Sequence, residues 1–186
     1  MNFDLHRNYH KYFMYFNKWL NLQENNLHNL FASTIQAFPL TTKRQHSTDT
    51  VKITELNWVP FLGVNTLFVK GLAQNGQNEY NPMILFKNVS YHPLKDNLNW
   101  VEIVASDGRN YIFEKLNDEN STSVRCNCED FKWRGNYANF LDKSLFGVKR
   151  KKYESQGGPS VNPTNSPMLC KHLIKLVKVL ENSGIY

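Results

Sequence analysis

Cys126-Asn127-Cys128 and Cys170-Lys171-His172 are the two stretches that decide the fold, and they contain every cysteine of the 186-residue chain. Three thiolates and one imidazole form a common ligand set for structural zinc, and four ligands complete its tetrahedron. The spacing is Cys-x-Cys, then 41 residues (129–169, called the excursion below), then Cys-x-His. We therefore predict one structural Zn²⁺ per chain. The predicted ligands are Cys126, Cys128, Cys170 and His172.

Two other uses of these cysteines are open: ordinary buried thiols, and a redox pair formed by Cys126 and Cys128. Arg125, Glu129 and Asp130 flank the first ligand pair, and charged neighbours are unusual around a buried apolar position. Joining chain ends 41 residues apart costs about 3 kcal/mol, whereas a structural zinc site contributes roughly 10 to 16 kcal/mol. Zinc can therefore close the excursion.

The one-residue spacing within each ligand pair restricts the backbone. Residues i and i+2 of a helix face nearly opposite ways, so such a pair must lie on extended or turn backbone. We expect Cys170 just before a helix, with His172 in its first turn.

The two ligand pairs resemble the SWIM-type zinc finger, whose pattern is CxC, a variable insert and CxH. The resemblance covers residues 98–182 and includes the acidic residues and Phe131 after the first pair. The segments VRCNCEDF (124–131) and NPTNSPMLCKH (162–172) are most similar to small SWIM-type proteins encoded by tailed bacteriophages. The excursion is long for that family. The resemblance implies a structural zinc, and a DNA-binding or protein-interaction module of a virion.

Hydrophobic periodicity before the first ligand pair predicts an α+β protein. Within 1–50, apolar residues recur at helical spacing over 9–20 and again at Leu27, Leu30 and Phe31, which predicts amphipathic helices. Alternation and turn residues over 51–125 predict an antiparallel sheet. Its clearest hairpin surrounds Asp107-Gly108. By the SWIM resemblance, this hairpin carries the chain to the first ligand pair.

The zinc-binding region, 126–186, is predicted to continue with three pieces. Widely spaced apolar residues over 131–148 indicate a short helix over the site, and charge, glycine and proline over 149–167 indicate an exposed loop that is ordered only if something holds it. A last amphipathic helix is expected over about 167–182, with Pro167 at its entry. We expect the three regions to form one compact domain.

The positive charge is concentrated in the zinc region. The chain has a net charge of +6, and 126–186 holds 10 basic and 5 acidic residues. Such an excess favours a polyanion through phosphate contacts and counterion release. A run of four basic residues on a loop is nevertheless more often a solvated surface than a binding site, and the lysines of the last helix could simply form its solvent-facing side. The first set is Lys149, Arg150, Lys151 and Lys152, and the second, on the last helix, is Lys171, Lys175 and Lys178.

The motifs favour binding over catalysis. The sequence has no Gly-rich phosphate cradle, Gly-x-Ser-x-Gly or paired-histidine metal motif, so we predict no enzyme and no small-molecule substrate. It has neither a membrane-length apolar run nor a secretory leader pattern, so we expect a protein that is neither transmembrane nor secreted. The resemblance to the phage proteins implies a virion or host-cytoplasm location. The leading hypothesis is a structural zinc-binding assembly protein of a tailed-phage virion with protein partners. The alternative is a nucleic-acid-binding zinc finger that uses the basic excursion.

Overall fold

The computed structural model of the protein describes residues 25–39, 47–92, 99–154 and 157–186. The helix expected over 9–20 lies outside the described residues. Helices and antiparallel strands are both present in the described ranges, which confirms the α+β class. None of the helices in these ranges has the length and apolar character that crossing a bilayer requires.

The described ranges contain three α-helices and seven strands. The helices are α1 (Leu27–Ala37), α2 (Asn136–Leu141) and α3 (Lys171–Asn182). A 3-10 turn, Leu62–Val64, follows the first strand, and a π-helical turn, Phe131–Gly135, leads into α2. The strands are β1 (Val51–Phe61), β2 (Thr66–Asn75), β3 (Asn78–Tyr80), β4 (Met83–Phe86), β5 (Trp100–Val104), β6 (Asn110–Glu114) and β7 (Thr122–Arg125).

The main sheet is antiparallel, and its neighbouring strands follow the order β1, β2, β4, β7. Strand β3 pairs with the C-terminal end of β2. Alternate side chains of β2 point to opposite faces: Leu67 and Val69 are fully buried, whereas Phe68 between them is partly exposed. On the same core face, Ile84 of β4 lies opposite Val124 of β7, and both are fully buried. The sheet therefore packs one face into the core and delivers β7 to the first ligand pair.

The hairpin predicted around Asp107-Gly108 is confirmed, but β5 and β6 form a separate two-stranded sheet. The Ala105 N–H donates to the Arg109 carbonyl, and Gly108 adopts φ +78°. The loop thus has three residues, with glycine where left-handed backbone is required. The expectation that this hairpin carries the chain to the first ligand pair is wrong, because β7 does so while pairing with β4.

Helix α3 packs across β1 and β2 through Leu173, Leu176 and Leu180, which are fully buried. The approach is close at Gly71, where a Cβ atom would lie 3.2 Å from Leu176 Cδ1. At that distance the Leu176 side chain would have to shift by a few tenths of an ångström to admit a Cβ atom, so glycine allows this close packing. Because α3 carries His172 in its first turn, its position on the sheet sets the position of the second ligand pair.

The last helix begins at Lys171, four residues later than the entry expected at Pro167. Tertiary hydrogen bonds explain the difference. The Met168 N–H donates to Asn139 Oδ1 at 3.0 Å, and Asn139 Nδ2 donates to the Met168 carbonyl at 3.1 Å. A helix starting at Pro167 would pair the Met168 carbonyl with an N–H of its next turn, but the Asn139 side chain takes up that carbonyl instead, and the helix begins only after Cys170.

Helix α1 confirms the second N-terminal helical segment. Asn26 caps it by accepting a hydrogen bond from the Asn29 N–H at 2.8 Å, and Leu27 and Leu30 enter the core. Its last turn also contacts the chain just before Cys170, since the Thr34 hydroxyl accepts from the Leu169 N–H at 2.8 Å. The N-terminal and C-terminal parts of the described chain thus share one hydrophobic cluster.

The outer edge of β7 is covered by the chain that follows α2. The Val124 N–H donates to the Ser144 carbonyl at 2.8 Å, and the Phe146 N–H donates to the Val124 carbonyl at 3.0 Å, as in a parallel bridge. Arg125 closes the same contact, since its guanidinium donates to the Phe146 carbonyl at 2.8 Å. The excursion therefore returns to the sheet before it enters the loop that begins at residue 149.

Candidate metal centre

The structure brings the four predicted ligands together. The ligand atoms of Cys126, Cys128, Cys170 and His172 all lie within 4.8 Å of one another, and the four residues are between 0% and 4% exposed. A tetrahedral zinc with Zn–S bonds of about 2.3 Å holds its sulfur atoms about 3.8 Å apart. Shifts of about 1 Å or less would close the cluster around an ion, so the four residues could hold a metal in the manner of a zinc finger.

Each ligand pair lies on the backbone that its spacing requires. Cys126 directly follows β7, and Cys128 precedes the π-helical turn, where its carbonyl accepts from the Lys132 N–H at 2.9 Å. Cys170 is the N-cap of α3, with extended backbone at φ −77° and ψ 164°. His172 lies in the first turn of that helix, as expected. The cluster thus joins the end of a strand to the start of a helix.

The thiols of the cluster differ in acidity because they are buried side by side. Burial raises the pKa of the Cys126 and Cys170 thiols well above the ordinary value of 9.0. Cys128 accepts hydrogen bonds from Cys126 and Cys170, which lower its pKa, and the Phe131 N–H also points at its sulfur, at 3.4 Å. Thiols bind metal as thiolates, so a bound dication would oppose the rise that burial causes in the pKa of Cys126 and Cys170.

The imidazole of His172 is placed by packing and by the cluster. Its ring stacks on Tyr80, with centroids 4.1 Å apart and planes inclined by 24°, and Nδ1 lies 3.9 Å from the sulfur of Cys126. Nε2 is buried without a hydrogen-bond partner, and an unpaired buried nitrogen is costly. Nδ1, which faces the Cys126 sulfur, could bind a metal, but that bond would leave Nε2 unpaired; the residues fit a bound ion because three thiols and one imidazole converge here.

Side chains around the first ligand pair fix it to the rest of the fold. Between the two cysteines, Asn127 Oδ1 accepts from the Asn81 N–H at 2.8 Å, which ties the pair to the connection between β3 and β4. Asp130 forms an ion pair with Arg134 at 2.9 Å. Burial raises the pKa of Asp130, and Arg134 opposes that rise. These contacts position the pair and leave the four ligand atoms facing one another.

Three buried asparagines, which the sequence analysis did not single out, fix the path of the excursion. Asn139 pairs in both directions with the Met168 backbone. Asn162 donates to two backbone carbonyls, at 3.0 and 2.9 Å, and accepts from one N–H at 3.0 Å. Asn136 Oδ1 accepts from the Arg150 N–H at 2.6 Å. The only sequence signal for these roles was amides placed among apolar residues, as in Asn136-Tyr-Ala-Asn139.

The two predicted basic sets lie in different environments. Lys149, Arg150, Lys151 and Lys152 are all exposed on the excursion, in agreement with the predicted loop. On α3, Lys178 is exposed and its ammonium donates to the Thr48 hydroxyl at 3.2 Å. Lys171 and Lys175 are only partly exposed. The excursion therefore presents more accessible charge than α3 does.

The chain matches no protein-family model, no curated protein and no solved structure. The SWIM resemblance thus depends on the two ligand pairs and the residues around them. The clustering of those ligand atoms is compatible with it.

Proposed function

We propose that the cluster binds one structural Zn²⁺ and that the protein is a non-enzymatic SWIM-type interaction and assembly protein. The observation that carries the proposal is the buried Cys₃His cluster, whose ligand atoms lie within 4.8 Å of one another. Thiolate and imidazole ligands in tetrahedral number suit zinc better than calcium, magnesium or manganese. Four protein ligands leave no open position for water or substrate, which distinguishes a structural site from a catalytic one.

Bound zinc would supply the positive charge that keeps all three thiols ionised. The chain's own residues would do the rest. The Phe131 N–H stabilises the Cys128 thiolate, Tyr80 holds the imidazole plane, and α3 keeps His172 against the sheet through its buried leucines. The metal would thereby fix both ends of the 41-residue excursion to one point of the fold.

An exposed apolar turn at one end of the main sheet supports a role in protein binding. Phe61, at the end of β1, and Leu62 and Val64, in the turn that follows, are 47%, 52% and 68% exposed. Neighbouring apolar side chains that remain in solvent are a frequent mark of protein contact sites. The proposed setting, a tailed-phage virion, rests on the similarity of segments 124–131 and 162–172 to the phage proteins.

The metal proposal is tested by measuring zinc per chain by elemental mass spectrometry on tag-free protein. We expect about one zinc per chain in the wild type and in the control His28→Ala, which changes an exposed histidine. Cys128→Ser and His172→Ala should lose the metal. Well-folded wild-type protein without zinc would remove the proposal.

The assembly proposal is tested by co-purification with phage particles. We expect the protein in stoichiometric amounts, retained after nuclease treatment and lost on Val64→Asp. Val104→Asp is the matched control, because Val104 is a similarly exposed valine, at 65%, on the separate hairpin sheet. Release by nuclease would contradict a protein-mediated role.

The second candidate function, nucleic-acid binding, is favoured by one observation: residues 149–152 are all basic and all exposed. It predicts binding that weakens steeply with salt and that is reduced when these charges are neutralised.

A further inference from the structure

Two aromatic side chains on the excursion form an exposed pair. Trp133, in the π-helical turn, and Tyr153, in the loop, are 41% and 37% exposed, and their ring centroids lie 5.3 Å apart with planes inclined by 52°. Large aromatic rings are normally buried for the apolar area they remove from water. Two adjacent rings left in solvent on one segment therefore form a surface that could take a flat partner.

Basic residues lie beside Trp133 and along the segment that leads to Tyr153. The Lys132 ammonium lies 4.2 Å from the Trp133 ring, and the Lys149 ammonium lies 4.5 Å from the ring of Phe140, which is 39% exposed. Asn136 holds the basic run in place by binding the Arg150 backbone. We call this region the aromatic–basic surface; its members are Lys132, Trp133, Phe140, Lys149, Arg150, Lys151, Lys152 and Tyr153.

Most acidic residues near the surface have partners within the protein. Residues 129–154 hold 7 basic and 4 acidic residues. Glu129 accepts from the Lys132 ammonium at 3.0 Å and from the Trp133 indole N–H, Asp130 pairs with Arg134, and Asp142 accepts from an asparagine amide at 2.9 Å. The four consecutive cations of 149–152 consequently dominate the exposed charge.

We infer that the aromatic–basic surface binds single-stranded nucleic acid, with bases stacked on Trp133 and Tyr153 and phosphates on residues 149–152. Stacking platforms beside a basic track are the usual means of binding a single strand. A duplex keeps its bases stacked on one another, so it offers no free face to these rings. The inference rests on the proposed zinc site, because the metal would fix both ends of the excursion that carries the surface.

The test measures fluorescence anisotropy of labelled oligothymidylate of about 16 nucleotides, and of a duplex of equal length, with zinc-loaded protein. We expect tight binding to the single strand and weaker binding to the duplex. Tyr153→Ala should weaken single-strand binding roughly 5- to 150-fold, whereas Tyr153→Phe, which keeps the ring, should retain it. Equal affinity for duplex and single strand, or no effect of Tyr153→Ala, would overturn the inference.

A matched pair of double variants separates phosphate contact from net charge. Lys151→Gln with Lys152→Gln should weaken binding roughly 10- to 30-fold near 0.1 M salt and lower the log–log salt slope by about 1.4. Lys52→Gln with Lys115→Gln removes two exposed charges outside the surface and should leave binding unchanged. Equal losses in both double variants would overturn the inference.

Two further measurements show why a binding result departs from the one expected. Competition by polyglutamate as effective as by oligonucleotide would indicate an acidic protein as the partner and overturn the inference. Zinc content is measured on every sample. Absent nucleic-acid binding with one zinc per chain would contradict this inference and the second candidate function but leave the proposed metal function standing. Absent zinc in folded wild-type protein would contradict the proposed metal function itself.

Discussion

Removal of the metal should open the excursion, 129–169, while the main sheet stays folded. The sheet is held by pairing of β1, β2, β4 and β7 and by buried side chains that do not depend on the ion. The excursion depends on its two ends, which meet at the cluster. Local opening is the cheaper response when only one part of a fold loses its support.

The length of the excursion sets the lower limit of the stability that this segment loses when the metal is removed. Holding together ends 41 residues apart costs about 3 kcal/mol that zinc would no longer offset, and about 3 kcal/mol corresponds to a roughly hundredfold rise in amide exchange through local opening. The upper limit is the roughly 10 to 16 kcal/mol of a structural zinc site. The buried Asn139 and Asn162 bonds would retain part of the structure, so we expect a result nearer the lower limit.

The assay is hydrogen exchange by mass spectrometry on zinc-loaded protein, on chelated protein and on Cys128→Ser, with zinc content measured on each. Peptides containing the Lys132 and Met168 amides, which are hydrogen-bonded in the excursion, should lose protection. Peptides from β2 should keep it. Unchanged protection in verified zinc-free protein would refute the structural role, and simultaneous loss from β2 would refute the local nature of the opening.

Three further changes have defined outcomes. Asn139→Ala leaves a buried N–H and carbonyl unpaired and should lower the free energy of unfolding, measured in urea, by about 2 to 4 kcal/mol. Its control, Asn110→Ala at an exposed site, should change that free energy by less than about 0.5 kcal/mol. Tyr80→Leu removes the ring stacked on His172 and should raise the zinc Kd roughly 10- to 100-fold, measured by competition with a chromophoric chelator. Burial raises the pKa of Tyr91 above its ordinary 10.0, so the folded state holds that proton more tightly than the unfolded state. The free energy of unfolding should therefore fall as pH rises above 10.0. Tyr91→Phe should reduce the slope of that free energy against pH in unfolding series at alkaline pH.

The ligand set and the larger elements could be predicted because their determinants are local. A Cys-x-Cys pair and a Cys-x-His pair account for every cysteine of the chain, so their meeting required no knowledge of the sheet. The short apolar run Met83–Phe86 likewise indicated a strand, and Ile84 and Phe86 of β4 are fully buried. Helical spacing identified α1 and α3 for the same reason.

What could not be predicted depends on contacts between distant residues. The hairpin was recognised from its turn, but nothing local shows that β7 rather than β6 joins the main sheet beside β4. The start of α3 was misplaced because Asn139, 29 residues before Met168, takes up the backbone groups there. Amide side chains can pair with any backbone segment, so sequence alone gives no partner for them.

The metal and the asparagines have separate structural roles in the excursion. A zinc at the cluster would fix where the segment begins and ends, but it would leave the path between those points free. Asn136 and Asn139 select one path by binding backbone groups 14 and 29 residues further along. That path brings Tyr153, in the loop that begins at residue 149, beside Trp133 in the π-helical turn. Exposed rings held at a fixed spacing lose little further conformational entropy when a ligand binds, so the order of the excursion itself favours a binding role for this surface.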